Sequence, residues 1–216
     1  MNSSTAAPGE SDPAVSRNRL APVTWYLPLL RALPALALAA IITFTPDHSS
    51  PLGLIALGVY GLVAGAVIAW GGVRSQGVER AILLAQGGIL ALVGVIALVS
   101  TGGGLPFLIF LLSSAAAITG FLELYLGLRG GPLRRDRLFV GGVTALLAIG
   151  VLIVPPGLEQ PTTGVDGPTG VLTASTIVVG LLGAYLAVIG VYLVIAGLSM
   201  KWAAAPSTAP VAADAP

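Results

Sequence analysis

Glu123 is the one acidic residue inside a long apolar stretch of the sequence. A charged carboxylate at the centre of a bilayer costs about 2.5–3.5 kcal/mol on insertion scales, so such a residue is a candidate for function. Glu123 precedes Arg129 by six residues. In a helix that rises 1.5 Å per residue, it would lie ~9 Å deeper than that arginine. It is therefore a candidate acid for a proton or ion relay.

Three further polar side chains are predicted at a similar depth. Gln86 and Thr144 follow basic residues by six and seven positions, and Tyr125 is close to Glu123 in sequence. We expect these side chains to form a hydrogen-bonded cluster in the inner half of the membrane. In the alternative interpretation, Glu123 lies near the interface, pairs with an arginine of the inner loops and fixes helix packing.

His48 is a candidate pH sensor, because histidine is the side chain whose ordinary pKa lies near neutrality. It follows Asp47 in a loop rich in serine and proline. The alternative is that His48 is merely solvated in this loop. Tyr60 and Tyr185 each precede a glycine by five residues, and both are predicted to pack in the core.

Composition excludes much other chemistry. The chain has no cysteine and one histidine, which excludes disulfides, thiolate metal sites and histidine-rich metal sites. We therefore expect no metal, no cofactor and no catalytic residues. The net charge of +1 also argues against binding to nucleic acid, which requires a basic face.

The hydropathy of the chain predicts an all-α membrane protein. Of its 216 residues, 56% are hydrophobic and 9% are charged, whereas globular domains have about 25% charged residues. Six apolar runs approach the ~20 residues that a membrane-spanning helix needs. They define a transmembrane domain over residues 25–201, with spans at about 25–45, 52–73, 81–99, 105–128, 138–154 and 172–200. Residues 1–24 and 202–216 are predicted to be disordered cytoplasmic tails.

The distribution of charge predicts the orientation. All ten basic residues fall in the tails, near the inner end of a span, or in the connections after the second and fourth spans. The connections after the first, third and fifth spans contain acidic residues and His48 but no Lys or Arg. By the positive-inside rule, both termini are cytoplasmic and the protein is a multi-pass protein of the plasma (inner) membrane. Arg31, in the first span, is expected to snorkel to the interface.

Small residues spaced seven apart recur in the even-numbered spans. This spacing places them on one helix face, where they allow close packing in lipid. The pattern predicts three hairpin repeats around a pseudo-threefold axis along the membrane normal. The glycines predicted to pack helices are Gly58, Gly65, Gly72, Gly87, Gly94, Gly120, Gly127, Gly183, Gly190 and Gly197.

The third and fourth spans combine these features into a longer pattern, Arg80-x6-Gly87, Gly94, a Gly/Pro turn, Gly120 and Leu124-x3-Leu128 before a basic loop. This pattern resembles the HdeD-like family of small bacterial membrane proteins, over roughly residues 31–201. The resemblance implies hairpins that usually make six spans, and a role in acid resistance. It carries over no catalytic residue.

The sequence thus favours a non-enzymatic integral membrane protein that acts in acid or membrane stress tolerance. The alternative is a small transporter or channel with a proton or ion site at Glu123, although the outer half of the spans has few polar residues. The expected partners are the bilayer and a second copy or another membrane protein. Anionic lipid is expected at Arg129, Arg134, Arg135 and Arg137, since basic groups attract such headgroups by about 1 kcal/mol each.

Overall fold

The computed structural model describes residues 25–131, 133–164 and 167–203. Six helices account for most of these residues, and each is long and apolar enough to cross a membrane. They are α1 (Tyr26–Phe44), α2 (Ser50–Arg74), α3 (Gly77–Val99), α4 (Gly104–Leu128), α5 (Arg134–Ile153) and α6 (Ala174–Ala203). The prediction of an all-α architecture with six apolar helices is confirmed. The tail predicted at residues 1–24 lies outside the described residues.

The helices extend beyond the apolar runs at the end of the bundle where the basic residues lie. Helix α3 begins at Gly77 and α5 begins at Arg134, each four residues before the predicted span. Helix α6 continues through Trp202 and Ala203, so the tail predicted from residue 202 begins later, and residues 204–216 lie outside the described part. Hydropathy marks only the lipid-facing part of a helix, whereas backbone hydrogen bonding continues into the charged turns.

A β-hairpin interrupts the helical pattern between α5 and α6. Strands β1 (Glu159–Gly164) and β2 (Gly167–Thr173) pair antiparallel where the sequence indicates only a turn rich in proline and glycine. The hairpin ends at the start of α6, where the Ala174 amide donates to the Leu158 carbonyl at 3.0 Å. Consequently Leu172 belongs to β2, and the sixth span starts at Ala174 instead of residue 172. Threonine and valine favour strands, which the Gly/Pro content of this segment concealed.

The helices pack most closely in three pairs: α2 with α3, α4 with α5, and α6 with α1. The helices of the predicted hairpins, α1 with α2, α3 with α4 and α5 with α6, are also in contact, though less extensively. The two helices of each of the first two pairs are joined by a short connection at the basic end, whereas α6 and α1 are the last and first helices of the chain. We call these units the tight pairs.

Glycines form the contact surface within the tight pairs. A methyl group added at Gly65 would lie 2.7 Å from the Gly87 carbonyl oxygen, and one at Gly94 would lie 2.8 Å from the Gly58 oxygen. A methyl group at Gly120 would lie 3.0 Å from the Ala145 amide nitrogen. Backbones therefore touch, as expected where small residues replace the hydrophobic effect in lipid.

The remaining predicted glycines lie at the same kind of contact. Side chains of α1 pack against three glycines of α6. A methyl group added at Gly183 would lie 2.7 Å from Ile42, one at Gly190 would lie 2.7 Å from Leu36, and one at Gly197 would lie 2.8 Å from Leu29. Gly72 and Gly127 lie against Leu83 and Leu138 of the neighbouring helix, each within 3.0 Å by the same measure. Every glycine stripe thus faces the partner helix of its tight pair.

Candidate functional site

Glu123 and Gln86 meet in the interior of the bundle. Glu123 is 7% exposed and Gln86 is fully buried. The Gln86 side-chain nitrogen Nε2 donates a hydrogen bond to Glu123 Oε1 at 3.1 Å. Two of the predicted cluster residues, which lie on α3 and α4, are therefore in direct contact.

Arg31 is the charged partner of Glu123. Its Nη1 atom lies 3.5 Å from Glu123 Oε1, and the two side chains are 11% and 9% exposed. The expectation that Arg31 snorkels to the interface is wrong, and so is the pairing of Glu123 with a loop arginine. On α1, Arg31 lies on the same face as the buried residues Ala35, Leu38 and Ile42. This helical period of the sequence was the signal that could have placed Arg31 inside.

Thr144, Tyr185 and Tyr60 continue the polar contacts to α5, α6 and α2. Thr144 donates to the Val140 carbonyl oxygen at 2.7 Å, so the Tyr185 hydroxyl, 3.1 Å away, donates to Thr144. The rings of Tyr60 and Tyr185 meet edge to face, with centroids 6.5 Å apart. Both phenols lie near the Arg31 guanidinium. The tyrosines pack in the core, but they also extend the polar cluster.

Six polar side chains therefore form one cluster, which we call the polar hub. Each helix contributes one of them: Arg31 from α1, Tyr60 from α2, Gln86 from α3, Glu123 from α4, Thr144 from α5 and Tyr185 from α6. Each tight pair contributes two. The ion pair, the two hydrogen bonds and the tyrosine ring contact each cross from one tight pair to another.

The hub leaves some of its hydrogen-bonding capacity unused. Arg31 Nε, the Tyr60 hydroxyl and Gln86 Oε1 are buried and have no hydrogen-bond partner in the described part of the chain.

Tyr125 is not part of the hub, which corrects the prediction that it joins Glu123. Its side chain is 41% exposed, and its hydroxyl accepts a hydrogen bond from Arg129 at 3.2 Å. Two residues along a helix turn the side chain by about 200°, so residues that share the depth of Glu123 do not share its face.

His48 and Asp47 do not form a pair. Asp47 accepts hydrogen bonds from the Ser49 amide at 3.0 Å and the Ser49 hydroxyl at 2.9 Å. His48 Nδ1 lies 3.3 Å from the Pro46 carbonyl oxygen at the exposed end of the loop. The geometry gives His48 a local role in this turn and no contact with the hub.

Large apolar side chains occupy the other half of the bundle. Leu54, Leu108 and Val178 each lie four residues after the start of an even-numbered helix, and each is fully buried. They belong to one continuous apolar core that also contains Val151. We call these three residues the apolar seal. The seal lies between the hub and the end of the bundle that bears Asp47.

The described residues of the chain contain no group of three His, Asp or Glu side chains that could hold a metal ion. The hub instead brings together a carboxylate, a guanidinium, an amide and hydroxyl groups that can exchange hydrogen bonds.

Comparisons with protein-family models, with curated proteins and with solved structures give no match to this chain.

Proposed function

We propose that this protein is a non-enzymatic, multi-pass protein of the bacterial plasma membrane that acts in tolerance of acid or membrane stress, with the polar hub as its working site. The observation that carries the proposal is the buried Arg31–Glu123 pair, placed where all three tight pairs meet. Buried ion pairs usually stabilise a protein less than apolar residues of the same size would, so a role other than stability is indicated.

The hub is suited to respond to protons because its polar contacts join one tight pair to another. Within a tight pair, glycines keep the backbones together independently of any charge. Between tight pairs, Glu123 contacts both Arg31 and Gln86. Protonation of Glu123 would remove the attraction of Arg31 and weaken two of these links at once, and the tight pairs would then repack as rigid units.

A pseudo-threefold arrangement of three repeats is part of this proposal. Its support is the glycine stripe on each even-numbered helix, which in every case faces the next odd-numbered helix, with α6 closing onto α1. Tyr60 and Tyr185 match each other in the repeat, but Glu123 on α4 and the hub residues of the three odd-numbered helices, Arg31, Gln86 and Thr144, differ in type and depart from it. Residues that break a repeated pattern are candidates for function, and the resemblance to the HdeD-like family supports the assignment to acid stress.

Survival after acid shock tests the function. In a strain from which the gene has been deleted, we expect wild-type protein to restore survival and Glu123→Gln to fail, because the amide keeps the shape of the carboxylate but takes up no proton. His48→Ala is the matched control and should restore survival fully, since His48 contacts only its own loop. Immunoblots must show equal amounts of each variant in the membrane.

Two results would overturn this assignment. If wild-type protein gives no protection, the stress role is wrong. If Glu123→Gln protects as well as wild type, the hub is a packing device and the protein acts elsewhere.

A small transporter or channel is the second candidate function, favoured by the intramembrane charges at Glu123 and Arg31 and by the unpaired polar atoms around them. The apolar seal argues against it, because a conducting path would have to cross Leu54, Leu108 and Val178. Proton flux into vesicles that contain the purified protein would support this candidate if Glu123→Gln abolished it.

The proposed orientation is tested by introducing single cysteines into a chain that has none. We expect Ser49→Cys and Gly103→Cys to react with an impermeant maleimide added outside spheroplasts, and Arg80→Cys to react only after the membrane is opened. The reverse pattern would place the termini outside.

A further inference from the structure

The four arginines at the start of α5 and the end of α4 differ in what they contact. Arg137 forms an ion pair with Glu79 of α3, and Arg129 donates a hydrogen bond to Tyr125 at 3.2 Å. Arg134 and Arg135 are exposed, and neither forms an ion pair with the described residues. The structure thus leaves two of the four side chains available to an external anion.

Arg134 and Arg135 line a cavity of about 710 Å³ together with Gly131, Asp136 and Leu138. Asp136 is the acidic group in this lining, and its Oδ1 atom accepts a hydrogen bond from the Tyr192 hydroxyl at 2.5 Å. That contact holds the carboxylate toward α6. Two guanidinium groups against one engaged carboxylate leave the cavity with a formal charge of +1, which suits an anion.

The cavity lies where the charged first turn of α5 meets the apolar part of the helix. The apolar part of α5 starts with Leu138, directly after the last charged residue of its first turn. On α2 and α6, which pack in other tight pairs, Arg74 lies 4.1 Å from the centroid of Trp70, and Lys201 lies 5.1 Å from that of Trp25. Aromatic side chains next to basic ones are typical of the membrane–water interface. A phospholipid whose phosphate lies at Arg134 and Arg135 would therefore place its acyl chains beside Leu138.

We propose that this cavity binds an anionic phospholipid, with the phosphate between Arg134 and Arg135 and the acyl chains along the exposed side of α5. A soluble anion would gain nothing from the apolar wall at Leu138, whereas a phospholipid uses both parts of the cavity. The proposal is independent of the polar hub, which lies deeper in the bundle and shares no residue with this cavity.

Native mass spectrometry of the purified full-length protein tests the site, with phosphatidylglycerol and phosphatidylcholine added in turn. We expect the first phosphatidylglycerol to bind more tightly than phosphatidylcholine. The double variant Arg134→Gln/Arg135→Gln should bind it about 30-fold more weakly, since each basic residue contributes about 1 kcal/mol and 1.4 kcal/mol is a factor of ten.

The matched control is Arg74→Gln/Arg80→Gln, which removes the same charge from the same end of the protein. It should retain tight binding of phosphatidylglycerol. Equal loss in both double variants would indicate diffuse attraction and overturn the site, and so would no loss in either. If inorganic phosphate displaces the lipid at equal concentration, the cavity is a site for soluble anions and the lipid proposal is wrong. Circular dichroism of each variant confirms that the helices remain folded.

Discussion

Replacing Arg31 with methionine is expected to lower the free energy of unfolding by about 3–5 kcal/mol, the cost of removing one partner from a buried ion pair. The Glu123 carboxylate would remain in the bundle, and among the described residues Gln86 would be its one remaining hydrogen-bond partner. Methionine has nearly the length of the arginine stem, so little packing is lost. The effect should therefore report on charge.

The double variant Arg31→Met/Glu123→Leu removes both charges, so it distinguishes the cost of an unpaired charge from the cost of losing the ion pair. Because it leaves no unpaired charge, we expect it to be more stable than Arg31→Met alone, even though the buried Gln86 amide loses its acceptor. The two substitutions should thus be strongly non-additive, as contacting residues usually are. A protein stabilised in this way but unable to protect against acid would separate the function of the hub from its contribution to stability.

Unfolding in mixed detergent micelles, followed by circular dichroism, measures these differences. Arg80→Met is the control, because Arg80 is exposed and forms no ion pair with a described residue. It should change stability by less than about 0.5 kcal/mol. If Arg31→Met were as mild as Arg80→Met, Arg31 would have to be in contact with solvent or headgroups, and the hub as described would be wrong.

The contrast between Arg31 and Tyr125 shows what the sequence could and could not predict about the site. Depth was inferred from distance along the chain to the nearest basic residue, which correctly brought Glu123 and Gln86 together. Depth alone does not specify the face of the helix, so Tyr125 was included although it points outward. Arg31 was missed because a basic residue near a span end usually reaches water. The spacing of Arg31 from Ala35 and Ile42 indicates the buried face.

The fold was predictable to a different extent in each of its parts. Hydropathy identifies the six helices because lipid requires long apolar segments with internally satisfied backbones. The glycine stripes predicted close packing, yet a stripe does not name its partner, and α2 packs most closely on α3 instead of α1. The β-hairpin between α5 and α6 lay beyond prediction, since a segment rich in proline and glycine reads as a turn.

The bundle is held together by two kinds of contact, one within the tight pairs and one between them. Glycines join helices within a tight pair, and a larger side chain at these positions would force the backbones apart. Polar side chains and the apolar core join one tight pair to another, and there a proton can alter the balance. A variant at a glycine contact should therefore disturb the backbone packing within a tight pair, whereas a variant in the hub should alter how intact pairs fit together.

Gly87→Ala and Gly88→Ala test the first half of this division with adjacent residues of one helix. An added methyl group at Gly87 would lie 2.6 Å from the Gly65 carbonyl oxygen, whereas at Gly88 nothing lies within 4 Å. We expect Gly87→Ala to destabilise the protein by about 1–3 kcal/mol or more, since the contacting atoms are backbone and cannot rotate away. Gly88→Ala should be neutral or stabilising by up to about 1 kcal/mol, because alanine favours helix.

The same comparison can be repeated on α5 with Gly141 and Gly142. A methyl group at Gly141 would lie 2.8 Å from the Leu124 amide nitrogen, and at Gly142 it would meet nothing within 4 Å. In mixed micelles, we expect the free energy of unfolding to be lower for Gly87→Ala than for Gly88→Ala, and lower for Gly141→Ala than for Gly142→Ala. The two residues of each comparison are adjacent glycines of the same helix, so they differ chiefly in whether they face the neighbouring helix. Equal effects within each comparison would mean that the glycines act through backbone flexibility, and the tight pairs would then have no basis in packing.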